Sequence, residues 1–206
     1  MEIVLATRNR KKVEEIRRMF METQISFLDL NDFPDSPDVE ETGSTFAENA
    51  DLKACTISRH TQRYALADDS GLVVDALNGE PGVRSARYAG ANATDQDNLN
   101  LLLTNLHKDP QASRTAHFEC VLSLCSPQGI VQRFTGLVDG VIIETPKGSN
   151  GFGYDPVFVP QGERLTFAEM PGWQKDQISH RGRALTAMAK ALTRQQPVSI
   201  GALNNS

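Results

Sequence analysis

The stretch of residues 65–82, ALADDSGLVVDALNGEPG, constrains the fold more than any other part of the chain. A short apolar run meets two adjacent carboxylates, Asp68 and Asp69, which are followed by Ser70-Gly71 and a second apolar run. The pattern predicts a strand that stops at the paired acids. Because neighbouring side chains on extended backbone point to opposite faces, we expect one carboxylate to face a cleft and the other to turn into the sheet. Such a carboxylate could hold a metal ion or a water, although a simple Asp-Ser-Gly turn has the same pattern.

The composition limits the class of protein. A chain of 206 residues can bury a substantial core as one large or two-lobed domain. Its net charge of −5 argues against a nucleic-acid partner and favours a small molecule. The three cysteines are an odd number without metal-ligand spacing, so we expect reduced, mostly buried thiols. No apolar stretch has the length of a signal peptide or a membrane span, which predicts a cytoplasmic protein without a membrane partner.

Apolar periodicity predicts the order of strands and helices. Strands are expected at residues 2–6, 25–30, 117–125 and 130–143, with Ser126-Pro127-Gln128-Gly129 as a hairpin turn between the last two. Helices are expected at residues 11–22, after N-caps at Thr45 and Thr94, and near the end, where one helix carries Ile178, Leu185, Met188 and Leu192 on one face. Residues 195–206 lack a periodic core pattern, so we expect a flexible tail after a domain of residues 1–194.

The loop of residues 7–12, TRNRKK, lies between the first predicted strand and helix. Unpaired backbone N–H groups and the positive end of the helix dipole attract phosphate at such a position. The side chains of Asn9 and Lys12 would add donors. A basic, solvated first turn is the alternative interpretation.

A glycine-rich segment, KGSNGFGYDPVF, is the second unusual stretch. Its glycines allow the backbone to approach a ligand closely, while the Phe152 ring offers a flat surface for a base. It lacks the spacing of a P-loop or of a dinucleotide fingerprint, and a plain glycine-rich hairpin remains the alternative. Further along, His180 and Arg181 stand at the start of the last helix, against the dipole preference for acids there, which indicates a local function.

Five segments together resemble the inosine triphosphate pyrophosphatase family, in that family's order: LATRNRKK, EETGSTFAENADLKA, ADDSGLVVDALNGEPGVRSARYAG, GSNGFGYDPVF and ISHRGRAL. They cover nearly the whole chain. The resemblance implies a homodimeric, Mg²⁺-dependent enzyme that cleaves ITP, dITP and XTP to the monophosphate and pyrophosphate. It also implies an α/β fold in which a long central mixed β-sheet, flanked by helices, underlies a nucleotide cleft between two lobes.

The resemblance also implies individual roles. The triphosphate loop would comprise Thr7, Arg8, Asn9, Arg10, Lys11 and Lys12. The nucleobase pocket would comprise Phe152, Gly153, Tyr154, Asp155, Lys175, His180 and Arg181, with Ser70 as a further substrate contact. Glu40 and Asp69 match the metal and water site, with Glu41 and Asp68 as supporting acids. Many relatives carry glycine at the position of Arg8, so the phosphate geometry stays open there.

These residue types suit the implied chemistry. Asp69, the general base of the resemblance, would orient or deprotonate water, while Lys12 and Lys53 would stabilise charge on the departing pyrophosphate. Donors from Lys175, His180 and Arg181 would bond the oxygen at purine position six, where adenine instead presents an amino group. Two alternatives stay open: a non-catalytic purine-nucleotide-binding regulatory module, and a phosphohydrolase that uses an aspartate nucleophile.

Overall fold

A mixed β-sheet organises the chain in the computed structural model, which describes residues 1–21 and 23–194. Its six strands are β1 (Glu2–Leu5), β2 (Ser26–Asp29), β3 (Tyr64–Val74), β4 (Thr115–Cys125), β5 (Val131–Ile142) and β6 (Phe158–Pro160), in the spatial order β2-β1-β3-β4-β5-β6. β1 pairs in parallel with β2 and β3, whereas β3, β4, β5 and β6 pair antiparallel. The predicted mixed α/β sheet is thereby confirmed.

Helices flank this sheet. They are α1 (Arg10–Met19), α2 (Phe46–Thr61), α3 (Asp95–His107), α4 (Gly172–Ile178) and α5 (His180–Arg194). Short 3₁₀ turns occur at Asp75–Leu77, Gly82–Arg87 and Asp155–Val157. The last residue of the predicted first helix, Glu22, and the predicted tail at 195–206 lie outside the described residues. The division into two lobes stays a prediction. Among residues 1–21 and 23–194, no helix combines the length and the apolar composition of a membrane span.

The helix starts follow the predicted capping chemistry. Thr45 accepts a hydrogen bond from the Glu48 amide, and the Glu48 carboxylate accepts one from the Thr45 amide, which forms a capping box on α2. Thr94 and Asp97 repeat this exchange on α3. These bonds satisfy backbone donors that the first turn leaves without partners, so two predicted starts are confirmed to the residue.

β3 differs from the prediction because it does not stop at the paired acids. It runs unbroken through them, and Asp68 and Asp69 lie opposite Leu122 and Val121 of β4. The antiparallel pairing with β4 continues past both acids, so the strand does not end at them. The strand that ends near the acids is β1. The Ala6 amide donates to the Leu66 carbonyl at 2.8 Å, and beyond this bond β3 no longer pairs with β1. The predicted strand end is therefore wrong, and the acids lie where a neighbouring strand stops.

The predicted last helix is two helices. α4 ends at Ile178, and Ser179 has extended backbone angles of φ −68° and ψ 158°. The Ser179 hydroxyl accepts from the Gly182 amide at 3.0 Å and so caps α5. A Cβ atom on Gly182 would lie 1.8 Å from the Asp176 carbonyl oxygen, so the tight junction requires glycine. The corner turns the His180-Arg181 pair into the protein, which a continuous helix would not do.

The core has a different layer on each face of the sheet. One layer packs α1 and α5 against β1, β3 and β4, and its members include Ile3, Leu5, Ile16, Leu66, Leu122 and Leu185. The other packs α2 against the opposite face and includes Val4, Ala54, Ile57, Ala65 and Ala67. Since Leu66 and Ala67 belong to different layers, strand alternation carries Asp68 to the α1–α5 face and Asp69 to the α2 face.

Candidate functional site

The two adjacent acids of β3 serve different faces. On the α1–α5 face, Asp68 Oδ1 lies 3.0 Å from Lys12 Nζ, and Asp68 Oδ2 accepts from Arg181 Nη2 at 2.9 Å. The Ser70 hydroxyl, two residues along the same face, donates to Asp68 at 3.1 Å and accepts from Arg181 at 2.9 Å. Asp68 is thus the centre of a buried ion-pair cluster.

On the α2 face, Lys53 joins the acids. Its Nζ donates to Glu41 Oε1 at 2.7 Å, to Asp69 Oδ1 at 3.1 Å and to the Asp68 carbonyl at 2.8 Å. Asn49 Nδ2 donates to the other oxygen of Asp69 at 3.1 Å. Arg87 Nη1 donates to Glu41 Oε2 at 2.7 Å. Two carboxylates therefore face each other across one lysine, at the open edge of β3.

The proton affinities of the two acids diverge. Burial alone raises the pKa of Asp68, but the cations Lys12 and Arg181 outweigh it and hold this pKa far below its usual value. Burial also raises the pKa of Asp69, and the neighbouring Glu41 charge adds to that effect against the opposing Lys53. Asp68 is therefore charged at neutral pH and acts as a structural partner, whereas Asp69 has the higher affinity for a proton.

The same environment keeps Lys53 charged. Burial alone lowers the pKa of Lys53, but the surrounding carboxylates, with Asp69 the strongest, raise it above its usual value. A charged lysine beside an acid of raised pKa suits a site where negative charge enters with a ligand.

The carboxylates fit Mg²⁺ only in part by themselves. Glu41, one of the predicted supporting acids, shares the Lys53 ammonium with Asp69 as a hydrogen-bond donor. The neighbouring Glu40 is exposed. Within residues 1–21 and 23–194, no group of three or more His, Cys, Asp or Glu side chains is arranged to hold a metal ion. Mg²⁺ commonly takes one or two carboxylates together with phosphate oxygens and water, so the pair matches Mg²⁺ that arrives with a triphosphate.

The predicted phosphate loop is divided by the structure. Asn9 caps α1, where its Oδ1 accepts from the Lys11 and Lys12 amides at 3.0 and 3.3 Å. Lys12 turns inward to Asp68. Arg8 turns away, since its guanidinium bonds Asp38 at 3.1 Å and the Ser36 carbonyl. The Arg8 side chain therefore contacts the acidic loop after β2 and does not point to the inner side of the phosphate loop.

Most of the remaining predicted substrate residues line one cavity. Its lining includes Asn9, Lys12, Ser70, Phe152, Gly153, Tyr154, Asp155, Lys175, His180 and Arg181. Thr7, Arg8 and Arg10 line a separate groove beside β2, and Lys11 reaches the Gly151 carbonyl at 3.0 Å. Residues distant in sequence thus converge because α1, the glycine-rich segment, α4 and α5 all meet over the same face of β3 and β4.

His180 forms one wall of this cavity. Its ring stacks on Phe118 with centroids 4.6 Å apart and planes 9° from parallel. Burial, with the charges of Arg181 and Lys175, holds the pKa of His180 well below its usual value, so the imidazole is neutral. Nδ1 is buried without a hydrogen-bond partner among the described residues. A neutral imidazole in the cavity lining can offer a ligand a donor or an acceptor nitrogen.

The glycine-rich segment supplies another part of the cavity lining. The Phe152 ring lies 4.9 Å from Lys175 Nζ and 5.6 Å from Arg181 Cζ, within cation–π range. The Asp155 carboxylate accepts hydrogen bonds from the Phe152 amide at 2.8 Å and from Lys175 Nζ at 2.7 Å. Gly151 has φ +73°, and a Cβ there would lie 2.0 Å from the Asp155 carboxylate, so glycine is required for this turn.

Sequence reasoning missed three polar residues of the site: Glu15, Asn49 and Arg87. Glu15 is buried between Lys175 and Arg181, Asn49 bonds Asp69, and Arg87 bonds Glu41. The signal for Glu15 was a carboxylate set between the apolar residues of α1, three positions after Lys12. Asn49 carries a similar signal beside Ala50 on the buried side of α2.

Comparison with known proteins gives consistent results. A sequence profile described as the Ham1 family matches residues 3–191. A dITP/XTP pyrophosphatase of Geobacter sulfurreducens is 50% identical over 186 residues, 90% of this chain and 94% of that protein. A dITP/XTP pyrophosphatase of Geobacillus kaustophilus is 50% identical over 187 residues, 91% of this chain and 92% of that protein.

Solved structures agree with these sequence matches. The structure of a HAM1 protein from Coxiella burnetii has a TM-score of 0.87 and 42% identity, and the match covers 94% of this chain and 99% of that one. A nucleoside-triphosphatase, dITP/XTP pyrophosphatase, from Mycobacterium abscessus has a TM-score of 0.74 and 44% identity, with 91% and 98% coverage.

Proposed function

This chain belongs to the Ham1 family, and from that membership together with the site we infer that it hydrolyses non-standard purine nucleoside triphosphates. The substrates are ITP, dITP and XTP, and the products are the nucleoside monophosphate and pyrophosphate. The observation that carries this proposal is one cavity that joins Lys12 and Ser70 to Phe152, Lys175, His180 and Arg181, next to the paired acids of β3.

The base end of the cavity would select the purine by its oxygen at position six. Lys175 and Arg181 are donors only, and both are charged, so they favour an acceptor oxygen over the amino group of adenine. The Phe152 ring offers a stacking surface on the same side. Adenine would leave buried donors without partners, which costs roughly 1–3 kcal/mol for each one.

The phosphate end would carry the reaction. Asp69, whose pKa is raised, accepts a proton from the attacking water. Lys53 and Lys12 stabilise the negative charge that develops on the departing pyrophosphate. The α1 N-terminus contributes its dipole beside them, although Asn9 already occupies two of its first amides.

We include Mg²⁺ as a proposed cofactor, held by Asp69 and Glu41, with Glu40 of the same loop as the further acid that the family pattern indicates. Mg²⁺ would neutralise triphosphate charge and orient its oxygens. The Lys53 ammonium bridges Asp69 and Glu41 in this structure. Substrate phosphates would attract this ammonium away from the two carboxylates.

The deciding experiment is a pyrophosphate-release assay with Mg²⁺ across ITP, XTP, dITP, GTP and ATP. We expect turnover of the first three and little of ATP, with no turnover in Asp69→Asn although nucleotide binding persists. A regulatory module would bind nucleotide without releasing pyrophosphate. A covalent aspartyl-phosphate would instead indicate an aspartate nucleophile, and wild-type rates in Asp69→Asn would remove Asp69 from the mechanism.

A homodimer in the cytoplasm completes the proposal. The α2 face of β5 leaves Leu137 and Val141 each 44% exposed, an apolar surface that a second copy could cover. Cys55, Cys120 and Cys125 are free thiols, as a reducing compartment favours. Light scattering on the purified protein tests the dimer, and a monomer at micromolar concentration would contradict it.

A further inference from the structure

Glu15 is a buried carboxylate of α1 that contacts two cations of the base pocket. Its Oε1 accepts from Lys175 Nζ at 3.1 Å, and its Oε2 accepts from Arg181 Nη1 at 2.5 Å. Burial alone raises the pKa of Glu15, but the charges and hydrogen bonds of Arg181 and Lys175 bring it below its usual value, so Glu15 is charged. Glu15 itself is not among the residues that line the cavity around His180.

A count of donors shows why these contacts matter. An arginine has five N–H donors. Four bonds are accounted for in Arg181: Nε and Nη2 to Asp68, Nη2 to Ser70, and Nη1 to Glu15. One hydrogen remains, and it is on Nη1.

Lys175 leads to the same result. Of its three hydrogens, one goes to Asp155 at 2.7 Å and one to Glu15. The third makes no hydrogen bond with the described residues, and Nζ lies 4.9 Å from the Phe152 ring centroid and 5.6 Å from that of Phe167. Arg181 Nη1 and Lys175 Nζ each keep one hydrogen without a hydrogen-bond partner in the described part of the chain. These same two atoms each donate another hydrogen to an oxygen of Glu15.

We propose that Glu15 is the positioning residue for base selectivity: its two oxygens fix Arg181 Nη1 and Lys175 Nζ so that their spare hydrogens converge on the acceptor at purine position six. This rests on the proposed function for the identity of the ligand. Glu15 also neutralises one of three neighbouring cations, because Lys12, Lys175 and Arg181 are balanced by Asp68, Glu15 and Asp155.

The variants are Glu15→Gln, which keeps the shape but turns one acceptor into a donor, and Glu15→Asp, which keeps the charge but shortens the reach. Glu14→Gln is the matched control, since Glu14 is the exposed neighbour on the same helix. Calorimetry with Mg²⁺ compares α,β-imido analogues of ITP and ATP, which bind without cleavage, and also inorganic tripolyphosphate, which lacks a base.

We expect Glu15→Gln to reduce the preference for the inosine analogue by about tenfold or more, since it misplaces hydrogen bonds made by charged groups. Glu15→Asp should give a smaller reduction, tripolyphosphate should bind as to wild type, and Glu14→Gln should change nothing. An unchanged preference in Glu15→Gln, or an equal loss of tripolyphosphate affinity, would overturn the proposal. Should Glu15→Gln fail to fold, the preference in Glu15→Asp decides in the same way.

Because this readout is binding, it separates the two proposals. Absence of pyrophosphate release by wild type, with the binding preference intact and sensitive to Glu15, would refute the proposed hydrolysis alone. Normal release with a preference insensitive to Glu15 would refute the positioning role alone. A wild type that binds both analogues equally would contradict base selection and Glu15's part in it.

Discussion

Neutralising the two adjacent acids of β3 should have unequal effects on the free energy of unfolding, and Asp68→Asn is the more destabilising change. The Asp68 side chain is 1% exposed and lies within 3.0 Å of both Lys12 and Arg181. Loss of one partner from a buried ion pair costs about 3–5 kcal/mol, because the other charge stays buried without compensation. Arg181 keeps Glu15 and Ser70 as partners, so we expect the lower end, about 3 kcal/mol.

Asp69→Asn is the matched comparison. Its environment raises the pKa of Asp69 and so disfavours the charged form. An asparagine still accepts a hydrogen bond there, and Lys53 keeps Glu41 as its counter-ion. We therefore expect the free energy of unfolding of Asp69→Asn to lie within about 1 kcal/mol of wild type.

Urea unfolding followed by far-ultraviolet circular dichroism measures both variants. The single tryptophan, Trp173, is 63% exposed and would report folding weakly by fluorescence. For a chain of this size about 3 kcal/mol corresponds to a fall of roughly 6–12 °C in Tm. A loss below about 1 kcal/mol in Asp68→Asn, or equal losses in both variants, would refute the argument from the two faces.

The pH dependence gives a second test of Asp68. A carboxyl whose pKa is depressed in the folded state contributes stability that is fully present above its unfolded pKa, about 3.9, and that is lost as pH falls towards the folded pKa. The stability gap between wild type and Asp68→Asn should therefore be constant from pH 5 to 7 and narrow below about pH 4. A gap that widens in acid would contradict this assignment.

Three further substitutions test the start of α2, the contact between β5 and α5, and the base pocket. Thr45→Ala removes one bond of the α2 capping box and should cost about 1 kcal/mol in unfolding free energy; no measurable loss would show that the cap is dispensable. Gly136→Ala puts a Cβ 2.0 Å from the His180 carbonyl oxygen, where β5 meets α5, and should cost about 2–3 kcal/mol in urea unfolding; full stability would mean that α5 can shift freely. Arg181→Ala should narrow the kcat/KM preference for ITP over ATP, and an unchanged ratio measured on the folded variant would exclude Arg181 from base selection.

Local patterns were predictable from the sequence. The capping boxes at Thr45 and Thr94 and the hairpin between β4 and β5 depend on residues within a few positions of each other, so sequence spacing specifies them. The predicted end of β3 failed for the same reason. Paired acids look like a strand end when read locally, but the ladder to β4, more than 50 residues away, holds the strand straight through them.

The candidate site was predictable in its members but not in its contacts. Lys12, Lys175 and Arg181 each stood out as cations near unusual motifs, yet nothing local indicates which acid each one meets. Glu15 was missed because its partners follow 160 and 166 residues later in the chain. Arg8 was grouped with the phosphate loop by position, whereas packing against residues 36 and 38 directs its side chain elsewhere.

The sequence by itself determined that Asp68 and Asp69 point to opposite faces, since alternation is a local property of extended backbone. Only the tertiary structure decided what each face contains. α1 and α5 bring Lys12 and Arg181 to Asp68 and make it a charged anchor, while α2 brings Lys53, with Glu41, to Asp69 and leaves it the higher pKa. The physical reason is that a carboxyl's proton affinity depends on burial and on charges a few ångströms away, and folding supplies both from distant parts of the chain.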